Sequence, residues 1–174
     1  MRYTALALFL VLITHPVLAG PLVGKSRSEP IHIEADSLVV RQEDGLAVFE
    51  GSVKAVQGPV NIFSDEMTVY YAGEGPQSIN GGNIKKIAVY GNVRLVTPRE
   101  TASGNNGTYD VGKDQIELRG NVVLTQGKNV LTGTRLVHDV VSGKSKLLST
   151  TKKGTKAGRV KGVFMPKQAQ LNTQ

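Results

Sequence analysis

Three stretches of the chain repeat one pattern, with an apolar or glycine residue at every second position and a glycine at the centre. They are Ala47, Phe49, Gly51, Val53, Ala55; Ile87, Val89, Gly91, Val93, Leu95; and Ile116, Leu118, Gly120, Val122, Leu124. A period of two is the period of a strand with one buried face, and no stretch after residue 19 holds a helical i, i+3, i+4, i+7 pattern for three turns. The chain is therefore expected to be all-β. A shorter alternating segment precedes each stretch across a turn: Leu38 and Val40; Met67, Val69 and Tyr71; Tyr109 and Val111. A fourth partial copy holds Leu136, His138 and Val140. Glu43-Asp44-Gly45, Gly112-Lys113-Asp114 and Ser142-Gly143-Lys144 read as hairpin turns.

The copies fall at regular intervals. Asp36, Asp65, Asn105 and Thr134 are spaced 29, 40 and 29 residues apart, and Gly51, Gly91 and Gly120 are spaced 40 and 29. The longer interval implies an 11-residue insertion, assigned to the Gly/Pro-rich loop from Gly73 to Asn83. A hairpin repeated at this period cannot bury its own face and must stack on its neighbours. Glycine in mid-strand weakens a sheet unless the chain bends there. Three at equivalent positions point to a line of corners along which each long strand passes from one sheet to another, like a half-open book with the apolar phase facing the crease. The other reading is that the glycines relieve crowding between closely stacked strands.

Composition narrows the function. The chain has 174 residues with no Cys and no Trp, so disulfide scaffolds, thiolate metal sites and cysteine nucleophiles are excluded. An apolar run from Ala5 to Ile13 after Arg2, then His15-Pro16 and Val17-Leu18-Ala19, has the form of a cleavable export signal over residues 1–19. The run is short for a bilayer-spanning anchor, which needs about 18 residues. Residues 20–28 read as a flexible segment, 29–168 as the folded domain and 169–174 as a disordered end. From residue 20 to residue 150 there are 14 basic and 14 acidic side chains, whereas Lys152, Lys153, Lys156, Arg159, Lys161 and Lys167 follow with no acid. This basic arm would either meet phosphates of a lipid or membrane surface, or form a solvated linker and guard an edge strand. Nucleic acid is not a fitting target for an exported chain without aromatic interleaving.

The motifs of catalysis are missing: there is no G-x-S-x-G, no H-E-x-x-H and no full phosphate-binding loop. His32 and His138 lack a metal-ligand spacing to Asp36, Asp65 or Asp139, so neither a metal nor a cofactor is expected, and no enzymatic activity. His32 should face solvent. His138, in the inward phase, is either a hydrogen-bonded core residue or a contact for a ligand head group.

Glu29-Pro30-Ile31-His32-Ile33-Glu34-Ala35-Asp36, the three Gly-Asn/Ser-Val strands, Val122-Val123-Leu124-Thr125-Gln126-Gly127 and Arg159-Val160-Lys161-Gly162-Val163-Phe164-Met165-Pro166 together resemble the LptA/OstA-like family of periplasmic lipopolysaccharide-transport proteins. The resemblance runs from about Glu29 to Gln168. It implies an open two-sheet β-jellyroll, twisted and V-shaped, whose apolar groove carries lipid A acyl chains in the periplasm. It also implies head-to-tail stacking of copies into a bridge with inner-membrane-anchored and outer-membrane components of the same fold. The residues expected to line the groove are Ile31 and Ile33, which match the family's apolar pair in the first strand, then Phe49, Val53, Val69, Val89, Leu95, Leu118, Val122, Leu124 and Leu136. A closed core would use most of them equally well. The edge strands expected to join copies hold Ile31, Ile33 and Ala35 at one end and Arg159, Val160, Val163, Phe164 and Met165 at the other. The rival reading is a structural or scaffolding β-repeat protein of the cell envelope that binds no lipid.

Overall fold

The structure, a computed structural model, describes residues 29–73, 83–149 and 158–165. The strands are β1 (His32–Glu34), β2 (Ser37–Arg41), β3 (Leu46–Gln57), β4 (Val60–Tyr71), β5 (Ile84–Val96), β6 (Thr101–Asp110), β7 (Gln115–Gln126), β8 (Asn129–Asp139), β9 (Ser145–Leu148) and β10 (Lys161–Val163). A 3-10 turn, Val111–Lys113, joins β6 to β7. All pairing is antiparallel, in the order β1-β3-β4-β5-β6-β7-β8-β10, with β2 also on β3 and β9 also on β8. The ends do not meet, so the ladder stays unclosed, and there is no α-helix among the described residues.

Each long strand breaks in its middle, and the breaks align. Register slips between Glu50 and Val53 on β3, Tyr90 and Val93 on β5, and Arg119 and Val122 on β7. At these points Gly51 and Ser52, Gly91 and Asn92, and Gly120 and Asn121 all take positive φ. Two successive left-handed residues swing the strand onto a new direction, which glycine does at little steric cost and Asn tolerates. Crowding acts at the same place. A Cβ on Gly51 would strike the Asp36 carboxylate, one on Gly91 that of Asp65, and one on Gly120 the Asn105 amide. The two readings of the glycines are thus one fact, a corner with a side chain laid across it.

These corners divide the ladder into two facing sheets. The first holds β1, the halves of β3 to β8 around Val53, Ile62, Leu95, Ala102, Leu124 and Leu131, and β10. The second holds β2, the other halves around Ala47, Val69, Ile87, Tyr109, Ile116 and Leu136, and β9. The step of fifteen residues from Asp36 to Gly51, and from Asn105 to Gly120, carries Thr134 to Ser149. There β9 has just ended, residues 150–157 lie outside the described part, and the next described strand, β10, pairs with β8 on the first sheet. The expected insertion falls between β4 and β5, with residues 74–82 outside the described part.

The inward phase packs as one core. Met67, Leu95 and Leu136 are wholly buried, and Val53, Val69, Ile87, Leu118 and Val122 nearly so. Each such side chain stabilises the fold by about 1.5–3 kcal/mol. Leu38 and Val40 stand apart from this core: β2 has no neighbour beyond β3 among the described residues, and Leu38, Val39 and Val40 are all about half exposed.

Candidate functional site

The corners close one side of the V. On the opposite side the turns of the first sheet, between β3 and β4, β5 and β6, and β7 and β8, face those of the second, between β6 and β7 and between β8 and β9. The crease between the two sheets runs along this line, where Tyr109 meets Gln57 and His138 meets Glu100 across it. At its N-terminal end lies an apolar pocket of about 350 Å³ counted out to its mouth, with Ile31, Ala55, Val60 and Ile62 on one wall and Ile87, Tyr109, Ile116 and Val140 on the other. Met67 forms its floor. The pocket is narrow. The space that can hold the centre of a water molecule is about 20 Å³, little more than one water requires. A hydrocarbon tail would enter only if the sheets part.

Of the expected groove residues, Ile31 lines this pocket and is half-buried. Ile33 and Phe49 are also half-buried and pack on the core. Val53, Val69, Val89, Leu95, Leu118, Val122, Leu124 and Leu136 lie in the same core and are shut off from solvent. All eleven share one interior, but apart from Ile31 the pocket is lined by side chains outside that set. Val60 and Ile62 were missed because they lie just after a Gly-Pro turn, outside the repeated segments. The edge residues Val160, Val163, Phe164 and Met165 are exposed, as are Arg159 and Lys161, while Lys152, Lys153, Lys156 and Lys167 lie outside the described residues. So does the expected export signal.

Two polar contacts span the mouth. At the pocket, Tyr109 Oη on the second sheet donates to Gln57 Oε1 on the first at 3.2 Å, while Gln57 Nε2 donates to the Glu29 carbonyl at 3.1 Å. Further along, Glu100 and His138 meet from opposite sheets, both buried, with Glu100 Oε1 3.2 Å from His138 Nδ1. Ser145 Oγ lies 2.9 Å from the same nitrogen and donates to Glu100, and Gln126 Nε2 donates to Glu100 Oε2 at 2.6 Å. His138 is therefore the hydrogen-bonded core histidine of the two readings, and His32 is exposed. A serine, a histidine and a carboxylate together invite comparison with a hydrolase triad. There the serine and the acid occupy different ring nitrogens. Here both approach Nδ1, an arrangement that cannot pass a proton from serine through the ring. Among the described residues no group of three or more His, Asp or Glu could hold a metal ion, and no helix is long and apolar enough to cross a membrane.

Residues 32–144 match the profile of the LptA/(LptD N-terminal domain) LPS transport protein family. An uncharacterized protein of Rhizobium meliloti is 36% identical over 124 residues, covering 70% of this chain and 67% of that one. The lipopolysaccharide export system protein LptA of Escherichia coli K12 is 27% identical over 144 residues, covering 82% of this chain and 74% of that one. The fold is similar to the crystal structure of LptH, described as the LptA-homologous periplasmic component of the lipopolysaccharide transport device of Pseudomonas aeruginosa. The TM-score is 0.66 at 20% identity, over 81% of this chain and 99% of that one.

Proposed function

This chain belongs to the LptA/LptD N-terminal-domain family of lipopolysaccharide transport proteins, and from that premise we propose that it binds lipopolysaccharide in the periplasm by the acyl chains of lipid A and passes it along a bridge of like-folded proteins toward the outer membrane. Its family is one of transport components, not of enzymes. The observation that carries the proposal is the apolar pocket at Ile31, where the buried crease is lined from both sheets. Burial supplies enough energy without a specific anchor. At ~0.8 kcal/mol for each buried CH₂, a tail of about a dozen carbons gains roughly 5 kcal/mol with half its length covered. Several tails on one lipid multiply that gain, and a surface of aliphatic side chains leaves them free to slide.

The bridge is supported by the unpaired edges. β1 and β2 end the two sheets on one side, and β9 and β10 end them on the other. Leu38, Val39 and Val40 are exposed at the first end, and Val163, Phe164 and Met165 at the second. Soluble proteins ordinarily blunt such edges. Two different edges meeting between copies make a contact that does not close on itself, so stacks grow. The partners are then lipopolysaccharide, further copies of this chain, and the membrane-anchored and outer-membrane members of the bridge.

A photoreactive residue in place of Ile31, with labelled lipopolysaccharide, tests the reading. Saturable adducts are expected there and not from the exposed His32. Protein adducts without a lipid adduct would favour the scaffolding alternative.

A further inference from the structure

The crease is too narrow for a tail as it stands, so what holds it shut governs the transport reading, on which this inference rests. The contact between Glu100 and His138 is built for that task from both sides. On the first sheet Thr97-Pro98-Arg99-Glu100 is a tight turn: the Thr97 amide donates to the Glu100 carbonyl at 2.9 Å, and Thr97 Oγ1 accepts from the amides of Arg99 and Glu100. Proline suits the second position of such a turn, and the turn aims the Glu100 side chain over the edge of its sheet. On the second sheet Asp139 ties the β8–β9 turn, its Oδ1 accepting from both the amide and the hydroxyl of Ser142 at 2.7 Å. That turn sets His138 and Ser145 opposite one another as a strand pair. A carboxylate held by charge-assisted hydrogen bonds away from water is a strong tie. The other contact, between the neutral groups of Tyr109 and Gln57, is weaker in kind and lies beside the pocket.

We propose that Glu100, His138 and Ser145 form a latch across the mouth of the crease, so that an acyl chain enters at the Ile31 end, where the closure is weak, and advances toward the C-terminal end only when the latch parts. Gln126 is a positioning residue, holding the second carboxylate oxygen of Glu100. The ligand class is the one already proposed, and the new element is a gate with a defined location in its path.

The chain has no cysteine, so a pair introduced at Lys128 and Lys144, exposed turn residues on opposite sides of the mouth, can carry two spin labels without a background site. Distances between the labels are measured in the otherwise native chain, in Glu100→Gln, which keeps the shape of the side chain and removes its charge, and in Ser145→Ala. Melting of each variant checks that it is folded. A narrow distribution is expected in the native chain and a longer, broader one in both variants, with labelled lipopolysaccharide captured roughly tenfold faster, the factor that loss of one charged hydrogen bond allows. Unchanged distances in both folded variants would overturn the latch. Widened distances with no capture by any version would show that the lipid-binding reading itself has failed, and the gate with it.

Discussion

Asp65 on β4 lies against the bare face of Gly91 on β5, and its Oδ2 accepts a hydrogen bond from Asn92 Nδ2 at 2.8 Å. The contact joins the two features that make the corner: a backbone at φ +72° and a neighbouring strand that leaves no room for a Cβ. Gly91→Ala should cost about 2–3 kcal/mol, the left-handed backbone accounting for about 1–2 kcal/mol and the collision for the rest. In an Asp65→Ala background the same substitution should cost less, because the carboxylate is gone, although the Cβ of residue 65 at 2.9 Å still crowds it. Denaturant unfolding of the four proteins of this cycle checks it, and a coupling near zero would mean that the carboxylate plays no part in the crowding.

The corner was legible because it repeats. One Gly in a strand is ambiguous, but three at matching intervals, each fifteen or, with the insertion, 26 residues after an Asp or Asn, mark a shared geometry. The core followed from the same phase. What stayed hidden depends on which strands sit at the edge and what lies across the mouth. Leu38 and Val40 alternate as in any β-strand, and only the order of strands reveals that β2 pairs on one side alone among the described residues. Glu100 follows a Pro-Arg pair in a turn and reads as solvated. Its burial arises from His138 and Ser145, residues 38 and 45 positions away, whose approach requires the whole chain to bend at the glycines. His138 could be placed in the interior from its phase, but its partner could not be named.

Ser64 is buried on β4 beside the corner, and its Oγ has no hydrogen-bond partner among the described residues. An unsatisfied hydroxyl in an apolar interior destabilises the fold by about 1–3 kcal/mol. Ser64→Ala removes the hydroxyl and leaves a space smaller than a methyl group, so a net gain of about 1 kcal/mol and a melting temperature higher by roughly 3–5 °C are expected. A lower melting temperature would indicate that the hydroxyl is hydrogen-bonded in solution.

On the outer face of the second sheet Glu117 of β7 is held by Arg135 of β8, whose Nε and Nη2 donate at 2.8 and 2.7 Å, and also by Arg119. The hydrogen bond from Arg135, more than that from Arg119, keeps the Glu117 carboxyl below the ordinary carboxylate range. A carboxyl whose folded pKa is depressed adds stability that is present above its unfolded pKa, about 4.3, and is lost as the pH falls through the folded value. The native protein should therefore exceed Glu117→Gln in stability at neutral pH, and the difference should shrink in acid. Melting curves from pH 7 to pH 2 check this, and a constant difference across the range would assign the effect to shape and not to charge.

The edges give the sharpest test of assembly, because some of their apolar side chains, Val39 and Phe164 among them, are exposed and not part of the core of a single copy. Val39 on β2 and Phe164 after β10 are both exposed, at opposite ends of the stack. If end-to-end pairing joins copies, Val39→Lys and Phe164→Glu should each leave the melting temperature within a degree or two, as surface changes do, and each should suppress the rise in mass with concentration. Mixing the two variants is the informative step. A heterologous contact uses the β2 end of one copy and the β10 end of the next. The mixture therefore retains one intact junction, between the native first edge of one variant and the native last edge of the other. It should form a two-copy species that neither variant forms alone and should not grow further. Mass measured by light scattering across concentrations distinguishes the cases. A symmetric contact, in which the same edge meets itself, would let one variant dimerise unmixed and would exclude an extending bridge.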